Sequence, residues 1–236
     1  DCASQERTEI LNKLVRPKVL TINIDHHVNN TNFGKINWVE SRFAACGEML
    51  FFLLKKFGPL SKEEAICLYT ALMTDTGSFL YHLSPWSFSV AEQLTLAGAN
   101  PEEIGRLVYF ERPLSSIRLL GLCLRTIKFD QGTQACWARL TQAMYKKTQT
   151  KEADTERFVD YLRCVKEAAV VFLLKERADG VKVSLRSRGR VNVEKIARRF
   201  GGGGHRAAAG CLLTGIGIPL AEKKMLKVIK EEMANQ

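Results

Sequence analysis

The sequence predicts an α/β fold divided into two domains, and three observations carry that reading. "RPKVLTINIDHH" is a near-continuous apolar run that stops on an acid and two histidines, as a parallel strand buried on both faces would. Helical segments with start and stop signals follow it as far as Arg112-Pro113. Beyond that point strands joined by short turns alternate with helices. The expected layout is a parallel-sheet domain with flanking helices over 1–112. A linking helix and a smaller α/β domain follow over 113–236.

Pro17 breaks the segment ahead of the strand Val19 to Ile24. "SRFAACGEMLFFLLKKFG" reads as a helix, apolar on nearly every face around Met49 to Leu54 and ended by Gly58-Pro59. Ser61 with Glu64 makes a capping box for "SKEEAICLYTALM". Ser84-Pro85 and Asn100-Pro101-Glu102-Glu103 are further helix starts, each a cap residue followed by proline. "LSSIRLLGLCLRTIKF" is a connecting helix running into a strand. A turn at Asp130-Gln131-Gly132 leads to a second strand, "QACWARL". "AAVVFLLKERADGVKVSLRSRG" is a hairpin turning at Ala178-Asp179-Gly180. "VNVEKIARRF" is a short helix with a basic end, and "PLAEKKMLKVIKEEM" is an amphipathic terminal helix.

Composition narrows the function classes. With 46% hydrophobic and 25% charged residues the chain has the make-up of an ordinary globular protein. No apolar run reaches the roughly 18 residues of a membrane span, and no signal-peptide layout opens the chain. The seven cysteines are scattered through apolar surroundings with no Cys-x-x-Cys pair, so reduced thiols in a cytoplasmic protein are expected. The net charge of +10 implies affinity for anions such as nucleotides or nucleic acid.

Three stretches carry chemistry. Asp25-His26-His27 sits at the carboxyl end of a strand, where ligands collect in open α/β sheets. A carboxylate beside imidazoles offers the mixed donors that suit Mn²⁺, Fe²⁺ or Zn²⁺. A solvated surface turn would look the same. Thr74-Asp75-Thr76-Gly77 places one carboxylate at a sharp turn among small neighbours, and an acid that merely stops a helix is the plain alternative. "RRFGGGGHRAAAG" is the most telling. Its glycines, Gly202, Gly203 and Gly204 among them, let backbone N–H groups approach an anion, and His205 and Arg206 add side-chain donors. A linker would be flanked by polar residues, whereas this run joins a helix to the apolar "AAAGCLL". In "VKVSLRSRG", strict alternation places Val181, Val183 and Leu185 on one face. Lys182, Ser184, Arg186 and Arg188 fall on the other, a phosphate-contacting or simply solvated surface. Tyr81, His82 and Trp86 are either base-stacking groups or ordinary core and surface residues.

Together Asp25-His26-His27, Thr74-Asp75-Thr76-Gly77, "RSRG" and "GGGGHRAAAG", in that order, resemble the DHH phosphoesterase family in the branch with a DHH-associated domain. The nearest likeness is to enzymes that degrade very short RNAs and dephosphorylate 3′-phosphoadenosine 5′-phosphate (pAp), with cyclic-dinucleotide phosphodiesterases as relatives. The resemblance implies a dinuclear Mn²⁺ centre in a cleft between the domains and two-metal hydrolysis. It implies metal ligation by Asp1, His26 and Asp75, with His27 nearby and Asp25 supporting the site from behind. Arg186, Ser187, Gly203 and His205 match positions that hold the substrate phosphate, beside Gly202, Gly204 and Arg206 of the same run.

The chain departs from the family at one point: no two of its aspartates stand two apart, so the family's Asp-x-Asp motif is missing. The expectation is an N-terminally incomplete chain with about half the metal ligands. Its strand Val19 to Ile24 would then lack parallel neighbours or pair with another chain. The apolar helices of the first half suit a homodimer. Two functions are therefore carried forward. One is a Mn²⁺-dependent phosphodiesterase or phosphatase acting on short RNA or nucleotides. The other is a catalytically inactive module that binds nucleotide or nucleic acid through the glycine run.

Overall fold

Strand β1, Ile22–Asp25, pairs in parallel with β2, Ile36–Val39, in a register running from Ile22↔Ile36 to Asp25↔Val39. The structure is a computed structural model that describes residues 1–8 and 19–234, so Pro17 and the break expected there lie outside the described residues. β1 therefore has a parallel neighbour in the chain itself, supplied by a segment in which the sequence reading saw no strand. Its burial also inverts the expectation. Ile22 is 60% exposed, whereas Asn23 and Asp25 are buried at 5% and 0%. The reason is chemical: the two polar side chains join a hydrogen-bonded network described below.

The chain forms two compact units, Asp1–Glu111 and Arg112–Gln236. The second, expected to be the smaller, is the longer. The first is built mainly of helices: α1 Cys46–Leu54, α2 Lys62–Asp75, α3 Ser87–Leu96 and α4 Pro101–Gly105. Phe51, Leu68, Leu72, Val90, Leu94 and Ile104 from these helices close on one another as its core. Two caps form as the sequence predicts. Ser61 and Glu64 exchange hydrogen bonds at the start of α2, and the Asn100 side chain accepts from the N–H groups of Glu102 and Glu103.

Two helix starts differ from expectation, and one buried acid explains both. Glu48 is wholly buried, and its carboxylate accepts from the Ala44 N–H at 2.7 Å, the Ser84 hydroxyl at 2.6 Å and the Ser87 hydroxyl at 3.1 Å. A buried charge must be satisfied in this way. The 41–45 segment consequently stays out of α1, which begins at Cys46. Ser84 serves Glu48 instead of opening a helix at Pro85, and α3 begins at Ser87 with no side-chain cap.

The second unit is a three-layer sandwich. Its strands are β3 Lys128–Asp130, β4 Ala135–Leu140, β5 Val170–Arg177, β6 Gly180–Ser187, β7 Gly203–His205 and β8 Ala208–Thr214. They lie in the order β3-β4-β5-β6-β8-β7, with β4 and β5 parallel and the other neighbours antiparallel. Trp137, Phe172, Leu174 and Val183 face α8, Val193–Arg198, and α9, Ile218–Ala234. Cys136, Ala138, Leu140, Val171 and Leu173 face α5, Leu114–Leu124, α6, Gln142–Thr148, and α7, Phe158–Leu162. Burial on both faces is why β4 and β5 read as unbroken apolar runs.

Phe172 is fully buried and stacks on Trp137 with ring centroids 5.5 Å apart. Phe172→Ala should lower the stability of this unit by about 3–5 kcal/mol, read as a shift in its urea midpoint. A shift of under about 1 kcal/mol would show that the stack does not hold the two helical layers to the sheet.

Candidate metal centre and phosphate niche

The end of β1 delivers Asp25, His26 and His27 in succession. Asp25 has no exposed surface. His27 Nδ1 donates to its Oδ1 at 2.6 Å, and the Asn30 side-chain amide donates to its Oδ2. The same amide reaches the Asn23 side-chain oxygen at 2.9 Å, and Asn23 donates to the Cys2 carbonyl at 3.0 Å. Burial alone would raise the Asp25 carboxyl. The hydrogen bonds from Asn30 and His27, with the charge of His27, outweigh it and hold the group below the usual carboxylate range. Asn23 and Asn30 were missed by the sequence reading, although Asn30 lies within the "HHVNN" that follows the doublet.

His26 has other partners. Its Nδ1 lies 3.3 Å from the Phe43 carbonyl oxygen, which can only accept, so Nδ1 donates there and Nε2 is the nitrogen turned to other partners. Nε2 lies 3.7 Å from Asp1 Oδ1 and 3.7 Å from Asp75 Oδ2. Asp75 is the last residue of α2, where Gly77 turns the chain with φ +56°. Burial pushes the Asp75 carboxyl above its usual range, against the pull of His26 and His27. An imidazole nitrogen thus stands between two carboxylates, 3.7 Å from each. This N,O,O set is the donor chemistry of a divalent transition metal. The ligating atoms of Asp1, His26 and His27 also lie within 4.8 Å of one another.

Asp1, His26 and Asp75 are therefore brought together, His27 lies beside them at 3.3 Å from Asp1 Oδ1, and Asp25 stands behind His27. Cys46 enters this neighbourhood without having been singled out: its sulfur lies within 4.8 Å of carboxylate oxygens of Asp1 and Asp25. Burial raises its thiol above the usual range, and it donates to the Ile24 carbonyl at 3.3 Å. It acts as a hydrogen-bond donor rather than as a thiolate.

The phosphate candidates lie on the second unit. Register pairs Arg186 with Ala208, and Ala208 with His205, so the three form a row across β6, β8 and β7 on one sheet face. Ala208, which the sequence reading passed over, separates the two basic side chains with a methyl group, leaving a niche between them. Arg186 Nε lies 3.4 Å from Asp160 Oδ1, and its Nη1 donates to the Leu185 carbonyl at 2.9 Å. Ser187 is buried, its hydroxyl accepting from the Gly189 N–H at 3.3 Å. Arg206 is exposed and reaches the Gly189 carbonyl at 3.5 Å. Arg188 instead closes on the carbonyls of Arg163, Val165 and Lys166 just beyond α7.

The glycine run divides by role. The N–H groups of Gly201 and Gly202 bond to the carbonyls of Arg198 and Ala197, closing α8. A Cβ on Gly202 would stand 2.2 Å from the Gly210 carbonyl oxygen, and one on Gly204, at φ +145°, would stand 2.4 Å from that of Ala208. Packing of β7 on β8 thus demands these two glycines. Gly203 has open space above it.

Asn30→Ala removes a donor from a buried carboxylate and should lower stability by about 1–3 kcal/mol near neutral pH in metal-free buffer. The folded Asp25 carboxyl is depressed, so its stabilisation is complete above the unfolded value of about 3.9 and is lost as pH falls through the folded one. The gap between variant and parent should therefore narrow below about pH 4, as measured by urea titrations. An undiminished gap there would assign Asn30 to packing alone.

The DHHA1 domain family matches residues 136–235, within the second unit. The bifunctional oligoribonuclease and PAP phosphatase NrnA of Thermus thermophilus is 36% identical over 214 residues, covering 90% of this chain and 64% of its own length. The Bacillus subtilis protein of that name is 26% identical over 89% of this chain and 67% of its own. Among solved structures, an exopolyphosphatase-related protein from Bacteroides fragilis superposes with a TM-score of 0.92 at 27% identity, covering 100% of this chain and 71% of that one. The chain spans about two-thirds of the length of each of these proteins. Residues 136–235 are thus a DHHA1 domain, and with its histidine doublet at a strand end the chain as a whole is similar to DHH phosphoesterases of the oligoribonuclease and PAP phosphatase type.

Proposed function

We propose that this chain provides the metal and phosphate sites of a divalent-metal-dependent phosphoesterase acting on short oligoribonucleotides and on nucleotides such as pAp. One observation carries the reading: His26, its Nδ1 occupied by the Phe43 carbonyl, turns Nε2 to lie 3.7 Å from each of two carboxylates. Such an arrangement of bases suits a cation, and manganese fits the mixed donors. His26, Asp75 and Asp1 would hold it. When bound, the ion supplies Lewis acidity toward a phosphate oxygen and acidifies water near it. The relatives named as oligoribonucleases and PAP phosphatases support the substrate class.

The protein's own groups do the rest. The Phe43 carbonyl accepts from His26 Nδ1 and so fixes the ring with Nε2 toward the metal position, where it would serve as the ligand atom. Asp25 holds the His27 ring in one orientation through the 2.6 Å bond and balances any charge it takes up. Arg186 and His205 face the niche above Ala208 and would carry the charge of a phosphate held there.

Two measurements test the reading together: Mn²⁺ titration by calorimetry, and hydrolysis of a labelled RNA dinucleotide and of pAp. His26→Ala should abolish Mn²⁺ binding and hydrolysis. Asp25→Asn should lower metal affinity or turnover by about 10–100-fold, as loss of a ligand's orienting partner does. Nucleotide binding with neither Mn²⁺ binding nor hydrolysis would sink the enzyme reading and leave a binding module. Arg186→Gln should raise KM or lower kcat while leaving Mn²⁺ binding unchanged; loss of Mn²⁺ binding would show that the niche is not a separate phosphate contact.

A further inference from the structure

The two units differ sharply in charge. Arg112–Gln236 holds 25 basic and 12 acidic residues, a net +13, whereas Asp1–Glu111 holds 10 basic and 13 acidic, a net −3. Much of the basic charge in the second unit is answered locally. Lys128 pairs with Glu222, Lys182 with Glu152, Arg177 with Asp179, Arg186 with Asp160 and Arg199 with Glu231.

Between α5 and α6 it is not. Arg118, Gly121 and Arg125 lie along one face of α5 at helical spacing, and Lys147, Thr148 and Gln149 stand opposite at the end of α6. They enclose a groove of about 600 Å³ with no acidic residue in its lining. Arg118, Arg125 and Lys147 form no ion pair with the described residues. Gly121 leaves the floor of the α5 side open, since a Cβ there would meet nothing within 4 Å.

Helix capping accounts for only part of this charge. Arg125 caps α5 and Lys147 lies in the last turn of α6, so each offsets a helix end carrying about half a negative charge. Three full cations against about one negative charge leave roughly +2 facing the groove. A site of that volume matches a small-molecule pocket rather than a duplex. A strand of phosphodiesters supplies both the repeated negative charge and the narrow cross-section.

We infer that the α5–α6 groove is a binding site for the phosphodiester backbone of single-stranded RNA longer than a dinucleotide, separate from the niche at Arg186 and His205. The choice of RNA rests on the function proposed above; the electrostatic argument does not. The groove adds affinity for longer strands without entering the chemistry, so it lowers KM for them and leaves kcat alone.

The test is Arg118→Gln/Arg125→Gln/Lys147→Gln in the full chain. Glutamine keeps helix propensity at exposed positions, and circular dichroism confirms the fold. Binding of a labelled single-stranded RNA of about twelve nucleotides is measured in EDTA across a potassium chloride series. The parent should show a steep salt dependence, and the triple variant should lose about 2 from the slope of log K against log salt, at about 0.7 per phosphate contact. Dinucleotide hydrolysis should not change. Arg118→Gln alone should remove about 0.7 from the slope, which keeps the test open should the triple variant fail to fold. An unchanged slope in a folded variant, or an equal loss of dinucleotide hydrolysis, overturns the groove. A parent that hydrolyses nothing yet loses slope in the variant sinks the enzyme reading and upholds the groove.

Discussion

A carboxylate without solvent governs the first unit. Ionised Asp25, with no exposed surface, must find hydrogen-bond donors within the protein, because water is not there to solvate it. Asn30 and His27 supply them, and each choice propagates. Asn30 must fold back over the strand end, tied by its amide to Asn23, while Thr31 binds the Ala3 carbonyl at 2.8 Å. Asn23 and Asp25 must point inward, which turns Ile22 outward and inverts the ordinary pattern of a half-buried strand. His26, the residue that follows Asp25, then presents its ring to Asp1 and Asp75. The placing of His26 between two carboxylates is thus a by-product of satisfying one buried acid. Glu48 repeats the principle on a smaller scale by drawing two serines and a backbone amide to itself.

The second unit achieves order by apolar layering, and its polar features sit where the layers end. The β6 strand alternates strictly, with Val181, Val183 and Leu185 sunk toward α8 and α9 and Lys182, Ser184 and Arg186 turned to the other face. Toward β7 that second face passes over Ala208 and Gly210, residues too small to cover it. Close approach of β7 to β8, enforced by Gly202 and Gly204, keeps His205 at the rim. The row of Arg186, Ala208 and His205 across three strands is a consequence of sheet register, which no local segment encodes by itself.

That distinction decides what could be read from the chain. Signals confined to a few residues were legible: the Ser61–Glu64 box, the Asn100 cap and the turn at Asp179-Gly180 all form where expected. Signals that depend on a distant partner were not. Ser84 reads as a helix cap until Glu48, 36 residues away, claims its hydroxyl. Strand β2 is four residues long with Ile36 half exposed, so no apolar run announced it. Asp1, His26 and Asp75 come from three separate segments, and family resemblance rather than spacing suggested that they meet. The groove at Arg118, Arg125 and Lys147 depends on two helices coming side by side, and in one dimension its members are only scattered basic residues.

Arg186 is already engaged with Asp160 at 3.4 Å. Any anion reaching that guanidinium competes with a resident carboxylate fixed on α7, so binding there is an exchange rather than a simple addition. A singly charged visitor offers little that Asp160 does not offer already. A terminal phosphate, with close to two charges and three acceptor oxygens, offers more. The resident acid thus acts as a threshold: it sets the valence a ligand must carry to hold Arg186, and it is ready to reclaim the arginine when that ligand leaves.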